Sequence, residues 1–287
     1  MADEGRRITM LTAYDYPMAR LLDEAGVEIV LVGDSLAMVV LGHETTAAVT
    51  MDEMIHHAKA ARRGVKRALL VGDMPFGSFQ VSAEAAVRNA ARFLHEAGCD
   101  AVKLEWTPGI EKTAAAIVQA GIPVMGHVGL TPQTASSQGG FKVQGKDAAS
   151  ATRILGSAVA LEEAGCFTMV LECIPDRLAE VITRRLAIPT IGIGAGSHCD
   201  GQVLVTHDLL GLFDRFTPKF VRRYADFSTT ITQAVTAFRE DVRRGRFPTA
   251  AQSFVIADEE FAQLRNTATS TAPRRAPRIR PRALKAR

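Results

Sequence analysis

No run of apolar residues in this 287-residue chain approaches the roughly 20 that a membrane-spanning helix needs. The opening stretch MADEGRRITM lacks the apolar segment of a secretion signal, so a cytoplasmic protein without membrane contact is expected. Cysteine is scarce: Cys99, Cys166, Cys173 and Cys199 are well separated and form no CxxC pair, and there is no HExxH. This argues against a disulfide scaffold and a structural zinc, and the four cysteines read as small core residues. Acids are missing from one region only. From residue 261 onward eight Lys and Arg meet no Asp or Glu, so residues 1–260 hold 26 of the 34 basic residues against all 31 acidic ones, a formal net of −5. The overall +3 belongs to a tail, 261–287, whose end TSTAPRRAPRIRPRALKAR has no apolar period and reads as disordered. Nucleic-acid binding or scaffolding by that tail ranks below an enzymatic role for residues 1–260, because no aromatic residue is interleaved with its charges.

What the chain does contain is a repeat. EAGVEIVLVGD (24–34), EAGCDAVKLE (96–105) and EAGCFTMVLE (163–172) each place Gly after a helix-period segment, then an apolar run, then a carboxylate. Glycine just past a helix takes the left-handed conformation that ends it, and the run that follows has the length and β-branched content of a buried strand. A variant enters its strand through Ile-Pro, in GIPVMGHVG (121–129) and AIPTIGIGAG (187–196). With ITMLTAYD (8–15), ALLVGDMP (68–75) and QVLVTHD (202–208) there are eight strand candidates, most separated by helical segments. Alternation of this kind implies a parallel sheet, doubly wound or closed. The count of eight and the polar ends of nearly every strand favour a single (β/α)8 TIM barrel over residues 1–260, because a barrel brings all its strand C-termini to one mouth.

The acids Asp34, Asp73, Glu105 and Glu172 are then expected to stand in a ring at that mouth. Each alone could instead cap the next helix, but Glu is a poor N-cap. Carboxylates gathered without a cation repel one another, and a hard ion such as Mg²⁺ relieves this with a few carboxylates plus water and substrate oxygens. Lys103 shares a strand face with Glu105 and offers either an anion clamp or a Schiff-base nucleophile. The glycines of GIGAG (192–196) do not fit GxGxxG, so a tight strand-to-helix turn is expected there and no dinucleotide. Segment 130–147, rich in Gly, Gln and Ser, suits a mobile loop over the mouth.

TAYDYPMA (12–19), LVGDSLAMVVLGHETT (31–46), KLE (103–105), GHVGLTPQ (126–133), GGFKVQGKD (139–147), VLECIP (170–175) and IGIGAGSHCDGQVLVTHDLLG (191–211), in this order, closely resemble the ketopantoate hydroxymethyltransferase family. The resemblance implies a barrel of the phosphoenolpyruvate/pyruvate superfamily, a homo-oligomer (in that family usually a decamer), and a place in pantothenate biosynthesis. It implies hydroxymethyl transfer from 5,10-methylenetetrahydrofolate to 3-methyl-2-oxobutanoate through a metal-stabilised enolate, giving 2-dehydropantoate. By motif, Mg²⁺ ligands fall on Asp34, Asp73 and Glu105, keto-acid contacts on Asp34, Ser35, Asp73 and Lys103, and the catalytic base on Glu172. His127 is expected to touch substrate, to orient a neighbour, or to be a satisfied core histidine. KLEWTPG departs from the family's usual KIEGG and puts Trp106 beside a mapped ligand, which leaves open the shape of the folate side. The rival readings are another Mg²⁺-dependent 2-oxo-acid C–C lyase or mutase of the superfamily, and a Schiff-base aldolase.

Overall fold

A computed structural model describes residues 6–269. In chain order the elements are β1 Ile8–Thr12, α1 Tyr16–Glu24, β2 Ile29–Val32, α2 Leu36–Val39, α3 Met51–Gly64, β3 Leu69–Asp73, α4 Ala83–His95, β4 Ala101–Glu105, α5 Ile110–Gln119, β5 Val124–Gly129, α6 Ala148–Glu163, β6 Thr168–Glu172, α7 Asp176–Arg185, β7 Thr190–Ile193, β8 Gly201–Leu204, α8 Thr206–Leu209, α9 Phe227–Arg243 and α10 Asp258–Thr269. Each strand pairs in parallel with its sequence neighbour and β1 pairs with β8, closing the eight-stranded barrel. The repeat glycines Gly26, Gly98 and Gly165 have φ of 85°, 69° and 96°, the left-handed stops read from the sequence.

Two cores follow from strand alternation. Inward-pointing residues such as Met10, Leu31, Val71, Ala101, Met125, Val170, Ile191 and Val203 fill the barrel. Outward-pointing ones such as Val30, Leu70, Val102, Leu104 and Leu171 join the helices in a larger outer core. The same parity carries Asp73, Lys103, Glu105, His127 and Glu172 inward, one step above the apolar filling, while the register sets Asp73 beside Lys103 and Glu105 beside His127.

The structure differs from the sequence reading after β7. No helix stands between β7 and β8 among the described residues, so GIGAG opens a turn into a strand rather than into a helix. Asp15, at the end of the β1 motif, caps α1 by accepting from Met18 N at 2.8 Å and is exposed. The compact unit that holds the barrel ends at Thr229, and a second unit begins at Thr230. Within the second unit Phe238 and Phe247 meet edge to face and α10 covers nine residues of the expected tail, 261–269. The remainder of that tail lies outside the described residues. Among the described residues, no helix is long and apolar enough to cross a membrane.

The outer helices pack closely at Gly64, where an added Cβ would lie 2.6 Å from Tyr16 O and 2.7 Å from Arg20 N of α1. In an open helix Gly→Ala stabilises by up to about 1 kcal/mol. Here backbone has to move, so Gly64→Ala is expected to destabilise by about 1–3 kcal/mol, read as a lower midpoint of urea unfolding.

Candidate active site

The mouth holds a chamber of about 100 Å³ floored by Met10, Leu31, Val170, Ile193 and Val203 and ringed by polar side chains. On the scale by which one water needs about 10–15 Å³, it takes a small molecule and excludes anything the size of a coenzyme. Asp73, Lys103, Glu105 and His127 are buried there, and the turn after β2 adds buried Asp34. Glu172, at the end of β6, keeps 16% of its side chain exposed. The chain reverses directly after it at Cys173, a non-glycine residue at φ 46°, a strained conformation that ends the strand on this carboxylate.

One ammonium serves this acidic group. Lys103 Nζ lies 2.7 Å from Asp73 Oδ1, as an ion pair rather than an aligned hydrogen bond, and donates to His127 Nδ1 at 3.3 Å. Accepting at Nδ1 assigns the imidazole proton to Nε2, which lies 3.3 Å from Glu172 Oε2 without hydrogen-bond alignment. Burial, and then Lys103, lower the His127 pKa, which keeps the ring neutral. Burial opposes the Lys103 charge, but Asp73, Glu105 and Asp34 more than offset it and hold its pKa above the usual lysine value. A Schiff-base lysine needs the opposite shift, which weighs against that reading of Lys103. Burial pushes Asp73 up to about 7 despite Lys103, with Asp34 adding to the rise. Burial and then Asp34 raise Glu105 well above the ordinary glutamate range.

Gln133 locks the carboxylates in place. Its side-chain amide donates to Asp34 Oδ2 at 3.0 Å and to Met74 O at 2.9 Å, while its backbone N–H donates to Glu105 Oε2 at 3.1 Å. Asp34 N donates to Asp73 Oδ2 at 3.1 Å, and Tyr14 Oη and Ser35 Oγ share a hydrogen bond of 2.8 Å.

The model of the family described as ketopantoate hydroxymethyltransferase matches residues 1–250. The chain belongs to the ketopantoate hydroxymethyltransferase family. It is a transferase. The 3-methyl-2-oxobutanoate hydroxymethyltransferase of Syntrophus aciditrophicus is 58% identical over 255 residues, covering 89% of this chain and 94% of that one. The protein of the same name from Oleidesulfovibrio alaskensis is 56% identical over 259 residues, 90% of each chain. Among solved structures, the phosphoenolpyruvate phosphomutase of Streptomyces platensis subsp. rosaceus has the same fold, with a TM-score of 0.59 at 16% identity over 94% of both chains.

All the residues that the family motifs mark, Asp34, Ser35, Asp73, Lys103, Glu105, His127 and Glu172, line the one chamber. The three proposed metal carboxylates share it, but no group of three or more His, Cys, Asp or Glu converges on one point among the described residues. Lys103 and Gln133 occupy the space between them instead. Trp106 faces elsewhere, into a separate cavity of about 690 Å³ beside α6 that shares no residue with the chamber. Gln133 escaped the sequence reading because its segment looked like a mobile loop. Residues 132–138 form a short 3-10 helix, and Pro132 at its start was the available signal. Gln133→Leu removes the donor to Asp34 and spares the backbone donor to Glu105. Leaving a buried carboxylate short of its partner costs about 1–3 kcal/mol, so a lower melting temperature and a weaker affinity for 2-oxo acids, titrated calorimetrically, are expected.

Proposed function

We propose that this chamber binds 3-methyl-2-oxobutanoate and that the chain converts it to 2-dehydropantoate with a one-carbon unit from 5,10-methylenetetrahydrofolate. The observation that carries this reading is the place of Glu172. It lines both the small chamber and a second, larger cavity of about 390 Å³, whereas Asp34, Asp73 and Glu105 line only the chamber. A base at that junction removes a proton from an inner substrate where an outer one can deliver carbon.

The donor set fits Mg²⁺. It consists of hard oxygen ligands, the buried carboxylates of Asp34, Asp73 and Glu105, with the ammonium of Lys103 beside them. When held by Asp34 and Asp73, with Glu105 behind them, the ion would stabilise negative charge developing on the keto oxygen. Lys103 pairs with Asp73 and donates to His127, which leaves N–H donors of its ammonium for the substrate carboxylate. Ser35, steadied by Tyr14, offers its hydroxyl to the same acid. Glu172 takes the C3 proton, with the neutral ring of His127 3.3 Å from its carboxylate. Release of the one-carbon unit consumes a water and returns tetrahydrofolate. C3 then adds to that carbon, and the new alkoxide takes a proton back from Glu172.

Homo-oligomerisation, part of the same reading, is supported by Ile231, Val235, Phe238 and Val242, which recur at helical spacing on α9 and are all exposed.

Two experiments test the chemistry. Asp73→Asn is expected to weaken Mg²⁺ binding more than tenfold, a scale seen even for outer-shell partners, and to lower activity with it. Full turnover after exhaustive chelation contradicts the metal assignment. Glu172→Gln retains size and hydrogen bonding, so keto-acid binding is expected to survive. Exchange of the C3 proton into deuterated water falls by about 10²–10⁴, and near wild-type exchange would mean that another group is the base.

A further inference from the structure

The 390 Å³ cavity is continuous with the chamber through Ser35, Thr46, Pro132, Glu172, Ile193 and Val205. Its volume lies within the usual range for a small-molecule site, and its walls are chiefly apolar. Phe141, Phe213, Phe216 and Phe220 contribute four rings, three of them substantially exposed. Exposed rings gathered at one opening are the wall of a site for a flat, largely apolar molecule. Three charged side chains other than Glu172 line it. Lys142 and Lys219 are exposed, whereas Asp208, at the start of the segment after β8, is partly buried.

Asp208 stands out because its carboxylate makes no hydrogen bond or ion pair among the described residues. Burial pushes it up to about 6, against the pull of Arg223. A carboxylate in such a setting gains from a ligand that brings two parallel N–H donors. The reduced pterin ring carries that pair, its N3–H and its 2-amino group, on a flat body that stacks on phenylalanine. The far end of the same carrier is a glutamate, whose carboxylates suit Lys142 and Lys219.

We propose that the outer cavity is the carrier subsite, in which Asp208 receives the 2-amino-pyrimidinone edge of the pterin while Lys142 and Lys219 hold the glutamate end. The proposal rests on the reading of the reaction given above and adds to it the residues that select a pterin.

The test uses the full chain and two probes, tetrahydrofolate monoglutamate and p-aminobenzoylglutamate, which lacks the pterin. Both are titrated calorimetrically into wild type, Asp208→Asn and the Lys142→Ala/Lys219→Ala double variant. Asp208→Asn is expected to raise the Kd for tetrahydrofolate about 10–100-fold, the scale of a hydrogen-bonded pair to a charged group, and to leave the fragment within twofold. The lysine variant weakens both probes and flattens the salt dependence of their binding. Wild-type affinity of Asp208→Asn for tetrahydrofolate overturns the proposal, and so does equal weakening of both probes, which would make Asp208 structural. Wild type that exchanges the C3 proton yet binds neither probe overturns the carrier in the reaction itself. Wild type that binds tetrahydrofolate with no effect of Asp208→Asn overturns the subsite alone.

Discussion

Four carboxylates at the barrel mouth share one lysine, and much of the site's arrangement answers that imbalance. Water is largely excluded, so the charges of Asp34, Asp73, Glu105 and Glu172 cannot be screened by solvent and have to be met by fixed donors. Lys103 pairs with Asp73, Gln133 serves Asp34 and Glu105 together, and the backbone of Asp34 turns back on Asp73. These donors meet oxygens of three acids and leave Glu172 outside the network, approached by a neutral histidine. The carboxylate with the fewest partners is the one proposed above as the base.

Most of the fold and the positions of the ring were legible because both follow from short-range rules. Glycine stops, apolar runs and period-two alternation are local, and they located all eight strands and carried Lys103, Glu105 and Glu172 to the inner face. What the sequence hid depends on distance in space. Asp15 and Asp34 follow apolar runs alike, yet one caps its own helix and the other meets a glutamine 99 residues away. Gln133 sits among Gly, Ser and Thr, a composition that describes a loop but says nothing of an amide driven into the barrel. The length of the turn after β7 was equally invisible, since glycine-rich sequence marks a reversal without stating whether helix or strand comes next. His127, left open between substrate contact, orienter and core residue, has its Nδ1 3.3 Å from Lys103 Nζ on a neighbouring strand, a contact that sequence does not display.

The two cavities differ in size and lining. The inner one excludes anything as large as a coenzyme, and the outer one, about 390 Å³, is walled largely by apolar side chains, phenylalanine among them. Glu172 belongs to both, held at the boundary by the reversal of the chain at Cys173. Packing in the outer core around Phe93, Leu104 and Leu171 keeps those strand ends in place.

The apolar filling beneath the ring also sets which acids can enter. A substrate side chain that points inward meets Met10, Leu31, Val170 and Val203, and the described lining holds no cation besides Lys103 and no cationic group among those apolar residues. A branched aliphatic group is accommodated there, whereas a second carboxylate would be buried unpaired beneath four acids, a penalty of several kcal/mol. On the proposed reading, the residues that fold the barrel thus also weigh against dicarboxylate substrates.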